Sequence, residues 1–197
     1  MKCLVVITHP LSESLCSYLG EHITTRLEEQ GHEVVVEDLY ESEFNPVLTK
    51  RERSSYYSGS YDSSDVEDQV LRLKEAEAMV LVYPTWWFSF PAMLKGWFDR
   101  VWGPGIAYDH ADDLGPIRPR LDNLRQVLVV TSLGAPWWFD RIVMRQPLKR
   151  VVKYALLGAC ARGSRLSYLS LYKSENADKA EVGRFIQRID GVLRTWR

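Results

Sequence analysis

Lys2-Cys3-Leu4-Val5-Val6-Ile7-Thr8-His9-Pro10-Leu11-Ser12-Glu13-Ser14-Leu15-Cys16 decides between two ways of building a parallel α/β domain. Residues 2–8 are a continuous apolar run, which predicts a strand covered on both faces. The polar stretch Thr8–Ser14 follows as a loop. Leu15, Leu19, Ile23 and Leu27 then recur every four residues, predicting a helix with one apolar stripe that Gly31 ends. The turn between strand and helix lacks Gly-x-Gly-x-x-Gly spacing, so a dinucleotide-binding fold of the Rossmann type is disfavoured.

Working outward, Glu33–Leu39 predicts a second strand. Residues 40–64 are polar, rich in Ser and Tyr, and without clear periodicity, which reads as a long excursion of the kind that often carries function. Val66–Ala76 predicts a helix and residues 78–83 a third strand. Phe90, Leu94, Trp97, Phe98 and Val101 stripe the next helix, opened by Ser89 and Pro91. Residues 102–122 hold three Gly and three Pro and predict another long loop. Val127–Thr131 is strand four. Pro147 opens a helix through Leu148, Val151, Val152 and Ala155, with Gly158 as its cap. Leu166–Leu171 is strand five, and Val182 to Trp196 stripe a last helix. No repeat or linker divides the chain, so residues 1–197 are expected to form one α/β domain. Five strands alternating with five helices imply a parallel sheet with helices on both faces. The order 2-1-3-4-5, a flavodoxin-like three-layer sandwich, is the expectation. Its ligand site would form at Thr8–Cys16, Pro84–Phe88 and Thr131–Pro136.

Composition narrows the partners. With 25 basic and 26 acidic residues the net charge is −1, which supports neither nucleic-acid binding nor a polybasic membrane contact. No apolar run approaches a membrane span, and Met1–Ile7 is too short for a signal peptide, so no membrane insertion is expected. Cys3, Cys16 and Cys160 are scattered and odd in number, and the four histidines are dispersed. Neither a disulfide framework nor a metal site is expected, and a reducing cytoplasm fits. The unusual feature is seven Trp, ten Tyr and six Phe, many of them between Tyr83 and Phe139.

Each of the three loops has a chemistry. The first precedes a helix, whose free N–H groups and partial positive charge suit phosphate. His9, Ser12, Ser14 and Ser17 add donors, though Ser12 or Ser14 equally serves as a simple helix cap. The second, Pro84-Thr85-Trp86-Trp87-Phe88, offers a flat apolar surface and free backbone groups to a heteroaromatic ligand. Packing under a neighbouring loop or in a subunit interface is the competing account. The third, Thr131-Ser132-Leu133-Gly134-Ala135-Pro136, is small enough for close backbone approach, and Trp137, Trp138 and Phe139 extend the aromatic wall.

The stretch Pro84-Thr85-Trp86-Trp87-Phe88-Ser89-Phe90-Pro91-Ala92-Met93-Leu94-Lys95-Gly96-Trp97-Phe98-Asp99-Arg100-Val101 resembles the signature of the NAD(P)H:quinone oxidoreductases, the DT-diaphorase-like branch of the flavodoxin-like superfamily. His9-Pro10 with Ser14-Leu15-Cys16 resembles that family's first loop. Phe44-Asn45-Pro46 and Gly105-Ile106-Ala107-Tyr108 resemble further elements, in order, over nearly the whole chain. The resemblance implies a non-covalent flavin, FAD with FMN as the close alternative, reduced by NAD(P)H and reoxidised by a quinone-like acceptor. It places His9, Ser14, Leu15 and Cys16 at the phosphates. Pro84, Thr85, Trp86, Trp87 and Phe88 fall along one flavin edge, and Thr131, Ser132, Leu133 and Gly134 along the other. It also implies a homodimer, with Phe88, Tyr108, Trp137, Trp138 and Phe139 as the substrate wall.

Four departures stand out. Leu15 and Cys16 replace the family's Phe and Asn, and Thr-Ser-Leu-Gly replaces Thr-Thr-Gly-Gly. Phe139 and Arg145, the candidate catalytic residues, stand where relatives have a Tyr and a His. A permanently charged Arg145 suits negative charge on a reduced flavin, or it serves as a surface residue in an ion pair. Two other functions remain in view. One is a flavin-bearing regulatory or ancillary subunit of a potassium-efflux transporter. The other is a one-electron carrier, against which the near-neutral charge argues. No Gly-x-Ser-x-Gly elbow supports a hydrolase.

Overall fold

Side chains that point alternately to the two faces of continuously buried central strands make two cores, one on each face of a single sheet. The structure, a computed structural model, describes residues 1–111 and 115–196. Its strands and helices run β1 (Lys2–Ile7), α1 (Leu15–Glu29), β2 (Glu33–Asp38), α2 (Lys50–Ser55), α3 (Glu67–Glu75) and β3 (Ala78–Pro84). They continue through α4 (Ala92–Val101), β4 (Tyr108–Asp109), β5 (Arg118–Pro119), β6 (Gln126–Leu133), α5 (Pro147–Arg150) and α6 (Gly158–Cys160). The chain closes with β7 (Arg165–Tyr172) and α7 (Lys179–Leu193). The main sheet is β2-β1-β3-β6-β7, all parallel, which in chain order is the expected 2-1-3-4-5. Cys3, Val5 and Ile7 of β1, with Val80, Val82, Leu128 and Val130, pack under α1 and α7. Leu4, Val6, Met79, Leu81 and Val129 pack under α3, α4 and the segment after α5. Each fully buried Leu, Ile or Val there contributes about 1.5–3 kcal/mol.

Two close approaches set the layers around the site. A Cβ on Gly20 would meet Ile7 Cγ1 at 2.9 Å, so the bare glycine lets α1 lie down on β1. A Cβ on Gly96 would meet Pro46 Cα at 2.6 Å, so glycine within α4 admits the Phe44-Asn45-Pro46 segment.

Three sequence expectations need correction. The 40–64 excursion contains α2, built on a capping box: Thr49 Oγ1 accepts from the Glu52 N–H at 3.1 Å, and Glu52 Oε2 accepts from the Thr49 N–H at 2.7 Å. Arg100 then anchors the excursion to α4, donating from Nε to buried Glu52 at 2.8 Å and from a terminal nitrogen to the Asn45 carbonyl at 2.6 Å. Of the loop expected over 102–122, residues 112–114 lie outside those described. The remainder holds the antiparallel pair β4–β5. Gly158 does not cap its helix. It has an ordinary helical φ of −62°, and the run from Pro147 passes through a π-helical stretch, Val151–Leu157, to end at Cys160.

Candidate functional site

The carboxyl ends of β1, β3 and β6 bring the three expected loops into contact. Thr85 is the hub. Its N–H donates to the Ser132 carbonyl at 2.8 Å, and its hydroxyl shares a 2.7 Å hydrogen bond with the buried Thr131 hydroxyl. Cys16 Sγ lies 4.0 Å from Ser132 Oγ, tying the first loop to the third. The His9 ring faces Trp86 at a centroid distance of 6.4 Å, tying the first to the second.

Ser14 is the cap of α1: its hydroxyl accepts from the Ser17 N–H at 3.1 Å, while the Tyr18 N–H goes to the Ser14 carbonyl at 3.0 Å. The simple capping role considered for this serine is thus real. It leaves the N–H groups of Leu15 and Cys16, the first two of the helix, without intrahelical partners. His9 Nδ1 is held by the Leu11 backbone at 3.1–3.2 Å, so Nε2 remains for a ligand. The Leu15 side chain packs into the core beneath α1. Burial, partly offset by the Ser132 hydrogen bond, pushes the Cys16 thiol up to about 11, so it stands there as a neutral thiol. The Thr8 hydroxyl, fully buried where β1 ends, has no hydrogen-bond partner among the described residues.

The aromatic loop is a tight turn. Trp86 N–H donates to Ser89 O at 3.2 Å and Ser89 N–H to Trp86 O at 2.9 Å. Trp87 and Phe88 between them have φ of 52° and 54°, the left-handed pair of a type I′ turn. The Phe88 ring meets Phe139 at 5.5 Å, and Phe139 meets Trp138 at 5.7 Å. Trp87 is 98% exposed. Leu133 closes β6 as a buried side chain, and Gly134 after it lies under the Glu175 carboxylate, 3.2 Å from where a Cβ would be. Pro84, the last residue of β3, pairs in register with Ser132.

Two expected residues stand apart. Tyr108 joins a second aromatic cluster, with the His110 ring at 5.3 Å and Tyr57 stacked on His110 at 4.9 Å. That cluster borders a 420 Å³ cavity lined by Tyr56, Tyr61, Asp109 and Arg118. Arg145 is exposed, with φ of 57°, at the joint between a π-helical turn (Phe139–Val143) and α5. It makes no ion pair among the described residues. Another cavity, of 460 Å³, opens beside the first loop, lined by His9, Pro10, Ser12, Ser17, Glu21, Asp38, Tyr40 and Glu41. The sequence reading missed its far wall, because the acidic residues after β2 show no periodic signal.

A family model described as flavodoxin-like fold matches residues 1–187. The chain belongs to the flavodoxin-like fold family. Within it, the chain is similar to ribosyldihydronicotinamide dehydrogenase (quinone) of Pongo abelii, 33% identical over 217 residues that cover 98% of this chain and 92% of the relative. It is 39% identical over 108 residues to the uncharacterized NAD(P)H oxidoreductase YcaK of Escherichia coli (strain K12), covering 54% of this chain and 55% of that one. A solved NAD(P)H:quinone oxidoreductase from Methanothermobacter marburgensis superposes with a TM-score of 0.84 at 27% identity, covering 98% of this chain and 94% of that one. These matches put the chain in the NAD(P)H:quinone oxidoreductase branch of the family. It spans about half the length of several other curated relatives it matches.

The donor set of this flavodoxin-like site fits a flavin nucleotide. Two free helix-terminal N–H groups and His9 Nε2 suit a phosphate. The turn at Trp87 and Phe88 leaves backbone groups free along a flat apolar surface, and the small third loop faces it. Among the described residues no cluster of His, Cys, Asp or Glu could hold a metal ion. No helix among them is long and apolar enough to cross a membrane.

Proposed function

We propose that the chain is a flavin-dependent NAD(P)H dehydrogenase of the quinone reductase kind, carrying a hydride from NAD(P)H to a quinone-like acceptor. The observation that carries this reading is the convergence of three loops: Thr85 joins the aromatic turn to the small polar loop, and Cys16 and His9 join the phosphate-suited helix start to both. The flavin supplies the two-electron carrier that the side chains lack. The first-loop amides and His9 hold its phosphate. Thr85, Trp86, Trp87 and the Thr131–Gly134 loop align its ring. Phe88, Phe139 and Trp138 shield the face where donor and acceptor alternate, and exclude water from it. Arg145, exposed between the π-helical turn and α5, remains the candidate for a permanent positive charge toward a reduced flavin.

FAD rather than FMN is the cofactor in this reading. The support is the 460 Å³ cavity continuing from the first loop to the end of β2, with room for a second nucleotide half. The carboxylates of Asp38, Glu21 and Glu41 suit ribose hydroxyls there, and Tyr40 suits an adenine.

The working form is a homodimer. Trp137, Trp138, Ile142, Val143, Val151 and Tyr154 are all exposed, more apolar surface than a monomer ordinarily shows. A second copy bringing its Tyr108–His110 cluster over that surface would complete the substrate wall. Sedimentation giving a monomer at working concentration refutes this. The cytoplasm suits a chain whose three cysteines are free and buried. The same apolar surface also supports the second reading, an ancillary subunit of a potassium-efflux transporter, and stoichiometric co-purification with such a transporter would favour it.

The decisive test is anaerobic. Purified protein is loaded with FAD or FMN, freed of excess flavin, and mixed with NADPH or NADH while the visible flavin band is followed. Rapid bleaching, reversed by benzoquinone, is the expected result. A flavin that binds and stays oxidised would leave a sensor or carrier, and no retained flavin would overturn the reading.

A further inference from the structure

The turn Phe139–Val143 carries the chain from the third loop into α5 while keeping the Phe139 ring on Phe88. Its backbone is unfavourable on its own. It is a single π-helical turn, and it runs into Arg145 and Gln146, with φ of 57° and 49°. Two consecutive residues of that kind persist only where the surroundings over-determine them. Asp140 is where those surroundings converge. It is only 7% exposed. Its Oδ2 accepts from the Tyr172 hydroxyl at 3.0 Å, and its backbone carbonyl accepts from the Gln146 N–H at 2.8 Å. The Gln146 side-chain amide reaches the same Oδ2 at 3.5 Å. Arg141 Nε donates to the Tyr172 hydroxyl at 3.3 Å, and its guanidinium lies 5.8 Å from the centre of that ring. Tyr172 ends β7 and is paired in register with Leu133, so it belongs to the rigid sheet edge.

We propose that Asp140 and Tyr172 are positioning residues: through one part-buried hydrogen bond they tie the strained 139–146 segment to the end of β7, and so fix Phe139 in the acceptor wall. This rests on the oxidoreductase reading, because the wall matters only where an acceptor uses it. Neither residue touches the reacting atoms. Phe139 cannot make such a bond itself, and no other side chain hydrogen bond to Asp140 is present among the described residues apart from that of Gln146.

The test compares Tyr172→Phe, Asp140→Ala and Asp140→Asn. The first removes one hydroxyl and keeps the ring. The third keeps an oxygen acceptor and removes the charge. Hydrogen–deuterium exchange on the flavin-free proteins reads positioning directly. Peptides spanning 139–146 should exchange about tenfold faster or more in Tyr172→Phe and Asp140→Ala, with the sheet unchanged and Asp140→Asn near wild type. In the FAD-loaded proteins, KM for benzoquinone should rise about three- to tenfold in the first two, with kcat within about twofold and Asp140→Asn rescued. Unchanged exchange over 139–146 in both Tyr172→Phe and Asp140→Ala overturns the proposal, as does faster exchange with KM unchanged. If Asp140→Asn instead matches Asp140→Ala and shifts the flavin potential, charge rather than position is at work and the proposal fails. If wild-type protein neither retains flavin nor reduces benzoquinone, the oxidoreductase reading fails by itself, while the exchange result still decides whether the bond holds the segment.

Discussion

Replacing Trp87 separates what the fold needs from what a ligand needs. Its side chain is 98% exposed, so removing the ring takes almost no buried surface from the free protein. Its backbone sits at φ 52°, next to Phe88 at 54°, in a turn where Asn-Gly is the favoured pair. A non-glycine residue in that region costs about 1–2 kcal/mol. Trp87→Ala keeps that cost and should leave the stability of the flavin-free protein unchanged. Trp87→Gly relieves it, less about 0.5–1 kcal/mol for the greater freedom of glycine in the unfolded chain. The net gain is about 1 kcal/mol, or about 2–4 °C in melting temperature for a chain of this size. Toward the ligand both variants lose the same surface. If about 100 Å² of the ring is covered on binding, about 2.5 kcal/mol and roughly 60-fold in affinity disappear. Thermal melts of flavin-free protein give the first quantity, and titration of flavin fluorescence with anaerobic NADPH reduction gives the second. If the glycine variant is no more stable than the alanine variant, the strain argument is wrong. If Trp87→Ala binds flavin and turns over like wild type, the exposed ring is not part of the site.

Three further outcomes are expected. Glu52→Ala leaves the buried Arg100 guanidinium with only the more exposed Asp65 carboxylate, 4.0 Å away, and removes half of a capping box, so urea unfolding should show a loss of about 3–5 kcal/mol; a loss below about 1 kcal/mol would mean that Asp65, Asn45 and water suffice. Burial raises the Glu37 carboxyl above its usual range, against the opposing hydrogen bond from Trp97 and the Arg72 charge. The folded protein therefore holds that proton more tightly than the unfolded chain, and stability falls as pH rises from about 4.3 through the raised value. Glu37→Gln should melt higher than wild type at neutral pH and alike near pH 4; a pH-independent difference would contradict this. Ser14→Ala removes the α1 cap and should cost about 1 kcal/mol in denaturant melts of the flavin-free protein, with no loss meaning that solvent caps the helix equally well.

The sheet was readable because its signal is local. Each central strand is a short apolar run, each helix a stripe at four-residue spacing, and the missing glycine fingerprint after β1 separated two strand orders that share those patterns. The three loops were readable for the same reason: strand ends are where a parallel sheet presents ligands. What escaped depends on partners far apart in sequence. α2 has no apolar periodicity, yet Thr49-x-x-Glu52 was a capping box in plain view. It carries weight only because Glu52 meets Arg100, 48 residues on. Asp140 beside Trp137–Phe139 carries no local signal because its partner, Tyr172, lies at the end of another strand, 32 residues away. Tyr108 matched the substrate wall by resemblance, and within one chain it packs elsewhere. Only the apposition of a second copy would reunite it with Phe88 and Phe139.

The distribution of backbone strain supports the same placement of function without reference to any relative. Among the described residues the non-glycine positions with positive φ are Glu43, Trp87, Phe88, Arg145, Gln146 and Lys173. All six follow the carboxyl ends of strands. Trp87 and Phe88 follow β3, Lys173 follows β7 and Glu43 follows β2, while Arg145 and Gln146 lie farther on in the connection after β6, between the π-helical turn and α5. At the opposite edge, the tight turn before β2 uses Gly31, at φ 79°, where no strain arises. A fold selected for stability alone would place glycine or asparagine in the Trp87-Phe88 turn as well. Tryptophan and phenylalanine there hold two rings where no core receives the first of them. That choice destabilises the free protein, a cost that a flat ligand covering the ring would offset in the proposed flavin site.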